Sequence, residues 1–190
     1  MADPSRPSRP PGRTPKVLRR FARAQDGAAA VEFAFVAIPF LVLVFAIFEL
    51  GLVFLLSMTL ENALMNVGRQ IRTGQLQTSG GTAASFRTAV CGQMAWLGAA
   101  CSSTIKLDVR TVTSFSGATS QTTPADGKTC WDPGGPGSIV LVRAYYKWPL
   151  IAPLLRSGVA SQDGNRVVTS SALFANEPYE GTTPSVTCPT

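Results

Sequence analysis

The sequence contains no histidine, which removes the side chain most often used as a general base or metal ligand. It also lacks the G-x-S-x-G, P-loop and H-E-x-x-H patterns, whose residues serve nucleophilic, phosphate-binding and zinc-dependent chemistry. Several aspartates stand singly among polar neighbours, which favours solvated surface charge over paired catalytic carboxylates. They are Asp108, Asp126, Asp132 and Asp163. We therefore expect a protein that is not an enzyme and that holds no metal or other cofactor.

Charge is scarce as well, and one segment has almost none. Between Phe33 and Leu56, 18 residues are Leu, Ile, Val or Phe, and Glu49 is the only charged residue. The apolar side chains contribute about −5 to −11 kcal/mol toward insertion into a bilayer, and one central charge costs only about 2.5 to 3.5 kcal/mol. The run also exceeds the ~20 residues that a hydrocarbon core requires, and it is too long for a cleavable secretory signal. We predict a membrane-spanning helix over about residues 33–57.

The net charge of +6 is concentrated before this segment. Residues 1–26 contain seven Arg or Lys and two Asp, 7 − 2 = +5, whereas the rest of the chain carries 10 − 9 = +1. A basic segment next to a spanning helix stays on the cytoplasmic side, so the remainder should lie in the periplasm. Residues 1–16 are rich in Pro, Ser and Arg and should be disordered. Nucleic-acid binding is disfavoured because the basic segment has almost no interleaved aromatic residues. Contact with anionic lipid or with a cytoplasmic assembly protein stays open.

Only four cysteines occur, and all of them follow the predicted span. This placement puts them in a compartment where disulfides form and persist. Zinc binding is disfavoured because there is no C-x-x-C spacing. Four cysteines permit three pairings. We favour Cys91 with Cys101, which closes a short loop, and Cys130 with Cys188, which ties the C-terminal tail to a Gly/Pro-rich segment.

The hydrophobic spacing predicts an α+β domain after the span. The long helix should run over residues 28–74 with a bend at Pro39, and residues 75–190 should form one periplasmic domain. Apolar residues at helical spacing predict packing of the upper helix against that domain, although a partner protein could use the same stripe instead. They are Leu60, Ala63, Leu64, Val67 and Ile71. An amphipathic helix capped by Thr82 should follow and end near Gly98.

The spacing then changes to the two-residue period of strands. Alternating residues predict strands over about residues 105–110, 139–148 and 166–175. Their return connections favour an antiparallel sheet of about three strands packed against helices. Arg143 and Lys147 should face away from the core. The apolar connection 150–155 would be buried, or would form a contact patch if it were exposed.

Gly27 precedes Glu32 by five residues, just where the apolar run begins. This pattern resembles the processing site of type IV pilin-like precursors, in which a membrane peptidase cuts after the glycine and leaves glutamate as the fifth mature residue. With the motifs AAAVEFAFVAIPF, IFELG and ENALMNVGRQIR, and with ALFANEPY at residues 172–179, the sequence resembles the TadE-like minor pseudopilins of the tight adherence (Tad, or Flp) pilus. The likeness is densest over residues 20–73.

The resemblance implies a pilin-like fold and a role in assembling a Tad pilus. It implies cleavage between Gly27 and Ala28 by a prepilin peptidase, and pairing of Glu32 with the new amino terminus or with a neighbouring subunit. The implied partners are the inner membrane, other pseudopilins and the Tad secretion platform. The mature protein would stay in the inner membrane or lie in or at the tip of the pilus.

Glu49 leaves two interpretations open, because a carboxylate within a span marks either an interaction or a neutralised group. It could be protonated or reach toward the headgroups, or it could contact another membrane helix such as a second pseudopilin. At the level of function, the alternative to a pseudopilin is a permanently anchored periplasmic binding or sensor domain that is not cleaved. A secreted enzyme on a membrane stalk would require paired carboxylates, of which the sequence gives no sign.

Overall fold

A computed structural model describes residues 27–121, 129–161, 163–180 and 185–188. Its longest element is helix α1, Ala28–Arg72, whose 45 residues continue through Pro39. The predicted helix over 28–74 therefore ends two residues early, where Gly74 adopts a positive φ of 74°. The chain divides into two compact units, residues 1–43 and 44–190, and α1 contributes to both. The predicted disorder of residues 1–16 lies outside the described residues.

In the first unit, all described residues except Gly27 belong to α1. The large apolar side chains of this segment are exposed. Phe33, Phe35 and Val36 are 75%, 76% and 69% exposed although they point in different directions around the helix. A helix that is apolar on all sides is covered by lipid or by other protein. Within the described ranges, α1 is the one helix long and apolar enough to cross a membrane.

The second unit contains a three-stranded antiparallel sheet. Its strands are β1 (Ile105–Val112), β2 (Ile139–Pro149) and β3 (Asn165–Ala175), in the spatial order β1-β2-β3. Val109 lies opposite Val142, and Val142 lies opposite Ala172, so apolar residues of all three strands share one face. The α+β fold with a sheet of three strands is therefore confirmed.

Short helices connect these elements. They are α2 (Gln75–Thr78), α3 (Ala83–Gln93), α4 (Ala100–Thr104) and α5 (Pro153–Gly158). Thr82 caps α3 as predicted: its hydroxyl accepts from the Ser85 amide, and the Ser85 hydroxyl accepts from the Thr82 amide. Such a reciprocal pair satisfies two amides that the first turn of a helix would otherwise leave unbonded. The helix ends at Gln93, and a 3-10 turn at Ala95–Leu97 leads to Gly98.

The core lies between one face of α1 and the apolar face of the sheet. The predicted stripe of α1 is at most 2% exposed, so it packs within the chain. Phe86 of α3 closes the core together with Trp131, with ring centroids 5.5 Å apart. Gly68 faces the sheet, and a Cβ at this position would lie in van der Waals contact with the Phe174 ring at 3.4 Å.

The outer edge of β1 is covered by two short segments. Trp131 forms a parallel bridge with Val109 and an antiparallel bridge with Thr187, so each segment adds one paired residue beside the sheet. Disulfide Cys130–Cys188 joins these two segments to each other. An unpaired strand edge can bind other chains, so this cover protects β1 from unwanted pairing.

Asp108 corrects the expectation that the single aspartates are solvated. Its side chain is fully buried on the face of the sheet that points away from α1. One carboxylate oxygen accepts from Arg143 Nη2 at 2.7 Å, and the other accepts from Arg110 Nε at 2.9 Å and from the Cys130 amide at 2.8 Å. Arg143 faces away from the core as predicted, but it is only 9% exposed. The burial arises because the segment that carries Cys130 covers this face, which a strand pattern does not reveal.

The other aspartates differ from Asp108. Asp132 is half-buried, accepts from the Gly134 amide at 3.2 Å and is also hydrogen bonded to the Thr111 hydroxyl. Asp163 is exposed, as expected. Asp126 lies outside the described residues.

Replacing Asp108 should destabilise the second unit. In Asp108→Asn, two guanidinium groups lose their charged partner, and breaking a buried pair of this kind costs about 3 kcal/mol. Urea unfolding of the full chain in detergent, followed by tryptophan fluorescence, measures the change. The control Lys106→Gln alters an exposed side chain on the same strand and should unfold like the wild type. Equal midpoints for Asp108→Asn and wild type would contradict the assigned role of this carboxylate.

Candidate functional site on the long helix

The N-terminal end of α1 coincides with the predicted processing site. The helix starts at Ala28, directly after Gly27, and both residues are exposed. Glu32 is the fifth residue of α1 and is also exposed. No residue of the described ranges forms a salt bridge with Glu32. The glycine, the residue after it and the acid are therefore accessible together on the surface of one short segment.

In the second unit, α1 has two different faces. One face packs on the sheet, from Leu56 to Ile71. The opposite face carries large apolar side chains that are 45–68% exposed, and we call it the outer stripe. Its residues are Ile47, Phe48, Phe54, Leu55, Met58 and Met65. An apolar surface of this length next to an already packed face indicates contact with lipid or with another protein.

Glu49 lies on the inner face of α1 and is only 6% exposed. Its two carboxylate oxygens accept hydrogen bonds from the backbone amides of Ile151 at 2.5 Å and Ala152 at 2.7 Å. The structure thus gives Glu49 a partner that neither interpretation of the sequence contained: the backbone of its own chain, about one hundred residues away. Hydrogen bonds from two amides compensate this carboxylate for its removal from water.

The Glu49 contact holds the loop 149–152, which connects β2 to α5. Leu150 and Leu155 are buried against Ala46 of α1, as predicted for this connection. Arg156 of α5 donates from Nε to the carbonyl of Leu150 at 2.8 Å. Ile151 differs from the expectation of burial and is 79% exposed. The connection is therefore both a packed segment and a surface with one protruding apolar side chain.

The C-terminal end of α1 is fixed by residues that directly follow β3. The Glu177 amide donates to the Arg72 carbonyl at 2.8 Å, and its carboxylate pairs with the Arg72 guanidinium at 3.2 Å. The Tyr179 ring covers Gly74 so closely that a Cβ there would lie 2.3 Å from it. Its hydroxyl donates to the Gly134 carbonyl at 3.1 Å, and burial raises the pKa of this hydroxyl. The side chain therefore remains a donor at neutral pH.

Asn176 completes this arrangement and was not singled out from the sequence. It is buried, and its side-chain amide donates to the carbonyls of Pro133 and Gly135, both at 3.0 Å. The signal that could have found it is the segment 172–179, which resembles the end of a TadE-like domain. These contacts are structural, because they connect the loop 133–138 with the segment that fixes the end of α1.

The four predicted disulfide residues lie in two places. Cys91 of α3 is bonded to Cys101 of α4, with Cα atoms 5.7 Å apart, and this bond closes the turn between the two helices. Cys130 is bonded to Cys188 beside the covered edge of β1. These are the two pairings favoured by the sequence analysis. Both stabilise the second unit and neither contacts Glu32 or the outer stripe.

Comparison with known proteins identifies the helix. Residues 27–69 match the family model described as TadE-like protein. This segment is similar to TadE-like proteins. The match begins at Gly27 and includes Glu32, Glu49 and most of α1, so the resemblance predicted from the sequence is confirmed over this range. No curated protein and no solved structure matches the chain significantly. The likeness of residues 172–179 to TadE-like proteins stays a prediction.

Removing the Glu49 carboxylate should release the loop that it binds. In Glu49→Ala the amides of Ile151 and Ala152 lose their acceptor, and each buried amide left unsatisfied costs about 1–3 kcal/mol. Hydrogen exchange of these two amides in the full chain should accelerate by at least about tenfold, which corresponds to 1.4 kcal/mol. Glu61→Ala is the matched control, since Glu61 is exposed on the same helix. Unchanged exchange in Glu49→Ala would show that this contact does not stabilise the loop.

Proposed function

We propose that the chain is a non-enzymatic minor pseudopilin that acts in the assembly of a Tad pilus. It is held in the inner membrane by α1, with residues before Gly27 in the cytoplasm and the second unit in the periplasm. The observation that supports this most directly is the TadE-like helix that begins immediately after Gly27 and exposes Glu32 as its fifth residue. The accessible cleavage site, the exposed apolar surface of α1 and the distribution of charges and cysteines also support the proposal.

Processing by a prepilin peptidase requires an accessible bond, and the Gly27–Ala28 bond meets this requirement because both residues are exposed. Cleavage would create a positive amine at Ala28. Glu32 follows Ala28 by four positions, which places the two groups about one helical turn apart. A carboxylate at the edge of a bilayer is stabilised by such a partner, either in its own chain or in a neighbouring subunit.

Assembly by helix packing requires apolar surface that the chain itself leaves uncovered. The first unit exposes apolar residues on all sides of α1, and the outer stripe continues this surface in the second unit as far as Met65. Met65 lies 65 − 28 = 37 residues after Ala28, whereas ~20 helical residues cross the hydrocarbon core. Lipid therefore cannot cover the whole exposed surface, and helices of other pseudopilins would cover the remainder.

The proposed topology agrees with the charge and with the cysteines. The excess of Arg and Lys before Gly27 favours a cytoplasmic N-terminus. The four cysteines are all in disulfides, which persist in an oxidising compartment such as the periplasm. Such a domain acts through its surface and its helix rather than through a catalytic centre.

Processing can be tested by the mass of the mature chain. Protein from cells that contain the prepilin peptidase should begin at Ala28, and Gly27→Leu should retain the leader because a bulky side chain replaces the glycine at the cut. Intact-mass measurement and N-terminal sequencing distinguish the two forms. An intact leader in the wild-type chain, in cells that process their other pilins, would favour a permanently anchored binding or sensor domain.

The role of Glu32 in assembly can be tested separately from cleavage. Glu32→Gln preserves the shape of the side chain but removes the charge that would pair with the new amine, so the number of pili per cell should fall several-fold. Glu61→Gln, an exposed change on the same helix, should leave piliation unaltered. Pili counted by electron microscopy and membrane levels of the protein should be measured together. Normal piliation in Glu32→Gln would remove the acid from the proposed mechanism.

A further inference from the structure

The loop 149–152 lies at the same level along α1 as a strongly apolar part of the helix surface. Glu49 binds the amides of Ile151 and Ala152, so this level is fixed by direct contacts. At that level α1 exposes Ile47 and Phe48 by 61% and 68%, and the loop exposes Ile151 by 79%. The loop lies on the inner face and Ile47 and Phe48 lie on the outer stripe, so a medium that surrounds α1 at this level, such as lipid, would reach both sides.

The backbone of this loop is bonded in the way that a lipid environment requires. Irregular backbone is tolerated next to hydrocarbon only when its polar groups have partners in the protein. Glu49 accepts from two successive amides, and Arg156 donates to the carbonyl of Leu150. One acidic and one basic side chain thus satisfy three backbone groups. The same bonding serves a loop packed on protein, so it makes the loop compatible with a lipid contact and the position of the loop decides the environment.

The neighbourhood has the composition of a membrane interface. Trp96 and Trp148 lie with their ring centroids 6.3 Å apart, and Trp96 is 43% exposed. Tryptophan is enriched at the headgroup level, where one part of the ring is apolar and another is polar. Lys147 and Arg156 flank the loop, and residues 144–161 contain no Asp or Glu, so the charge beside the loop is complementary to lipid phosphates.

We propose that the loop 149–152 rests on the outer leaflet of the membrane that α1 crosses, with the hydrocarbon core ending near Phe48, about 20 residues after Ala28 and earlier than the residue 57 expected from the sequence. Ile151 inserts at the boundary between headgroups and acyl chains, Lys147 and Arg156 lie toward the phosphates, and Glu49 holds the loop on the helix. The second unit is then oriented by two contacts with the bilayer, α1 and this loop. The proposal depends on α1 spanning the membrane and does not depend on cleavage or on pilus assembly.

A single labelled cysteine tests the proposal in the full chain. All four native cysteines form disulfides, so Ile151→Cys introduces the only thiol and can carry the fluorophore NBD. Phe115→Cys is the matched control, because Phe115 is apolar and 55% exposed but follows the end of β1 that lies farthest from Pro149. Both variants are reconstituted into nanodiscs of phosphatidylcholine and phosphatidylglycerol, with and without doxyl-labelled lipid.

The two positions should respond differently. An interfacial side chain is buried about 5–10 Å into the boundary layer, so doxyl lipid should reduce the emission at position 151 by about half, with a blue shift, and should leave position 115 unchanged. An unquenched label at 151, or equal quenching at both positions, overturns the proposal. A blue shift at 151 without quenching also overturns it, because protein rather than lipid would then cover the loop.

Native tryptophan provides a second measurement if the label disturbs folding. In the unlabelled chain, doxyl lipid should quench part of the tryptophan emission, and this part should decrease in Trp96→Phe, since Trp96 is more exposed than Trp148 and Trp131 is buried in the core. Quenching that is the same in Trp96→Phe and wild type would overturn the proposal. Neither experiment contains peptidase or other pilus proteins, so a negative result leaves the pseudopilin proposal intact.

Discussion

The packing of one face of α1 on the three-stranded sheet is the constraint on which the second unit depends. A single helix provides apolar surface that only lipid or other protein can cover, and farther along it provides half of a protein core. The two uses are compatible because they involve different segments and different faces of α1. Leu56, Leu60 and Leu64 are fully buried by the sheet, whereas Leu55 and Met58 between them remain exposed. The folded second unit therefore cannot move independently of the upper part of α1.

The ends of this helix are fixed by different chemistry. At its C-terminus, the segment after β3 covers Gly74 with Tyr179 and pairs Glu177 with Arg72, so the helix stops at a defined residue and the chain turns into α2. Around residue 49, the loop after β2 is bound by a carboxylate of the helix itself. These two attachments come from neighbouring strands of the sheet, β3 and β2. The sheet therefore contacts α1 through its apolar face and is also tied to it by polar contacts at separate points.

Most of the architecture follows from patterns that the sequence displays locally. The apolar run and the stripe from Leu60 to Ile71 predict α1, the Thr82 cap predicts the start of α3, and the two-residue alternation predicts the strands of the sheet. Each of these patterns depends only on neighbours within one turn or one strand. The Gly27 and Glu32 spacing likewise needs no tertiary information. Contacts between distant residues were not predictable in this way. The sequence predicts Asp108 to be a surface acid, because strand alternation places it on the side of the sheet opposite the core. Nothing in its own segment shows that the Cys130 amide, which lies far along the chain, binds the carboxylate there.

Asp108 and Glu49 show what the local patterns omit, and they share one physical role. Each is a buried acid on a regular element, and each accepts backbone amides from an irregular segment far away in the sequence: Cys130 for Asp108, and Ile151 and Ala152 for Glu49. A strand or helix bonds its own backbone, whereas a loop packed against it must find other acceptors. A carboxylate supplies two oxygens at one position, so one residue can satisfy two amides without further secondary structure. The acid within the apolar run is thus explained by the loop it holds, and its retention there does not require a second membrane helix.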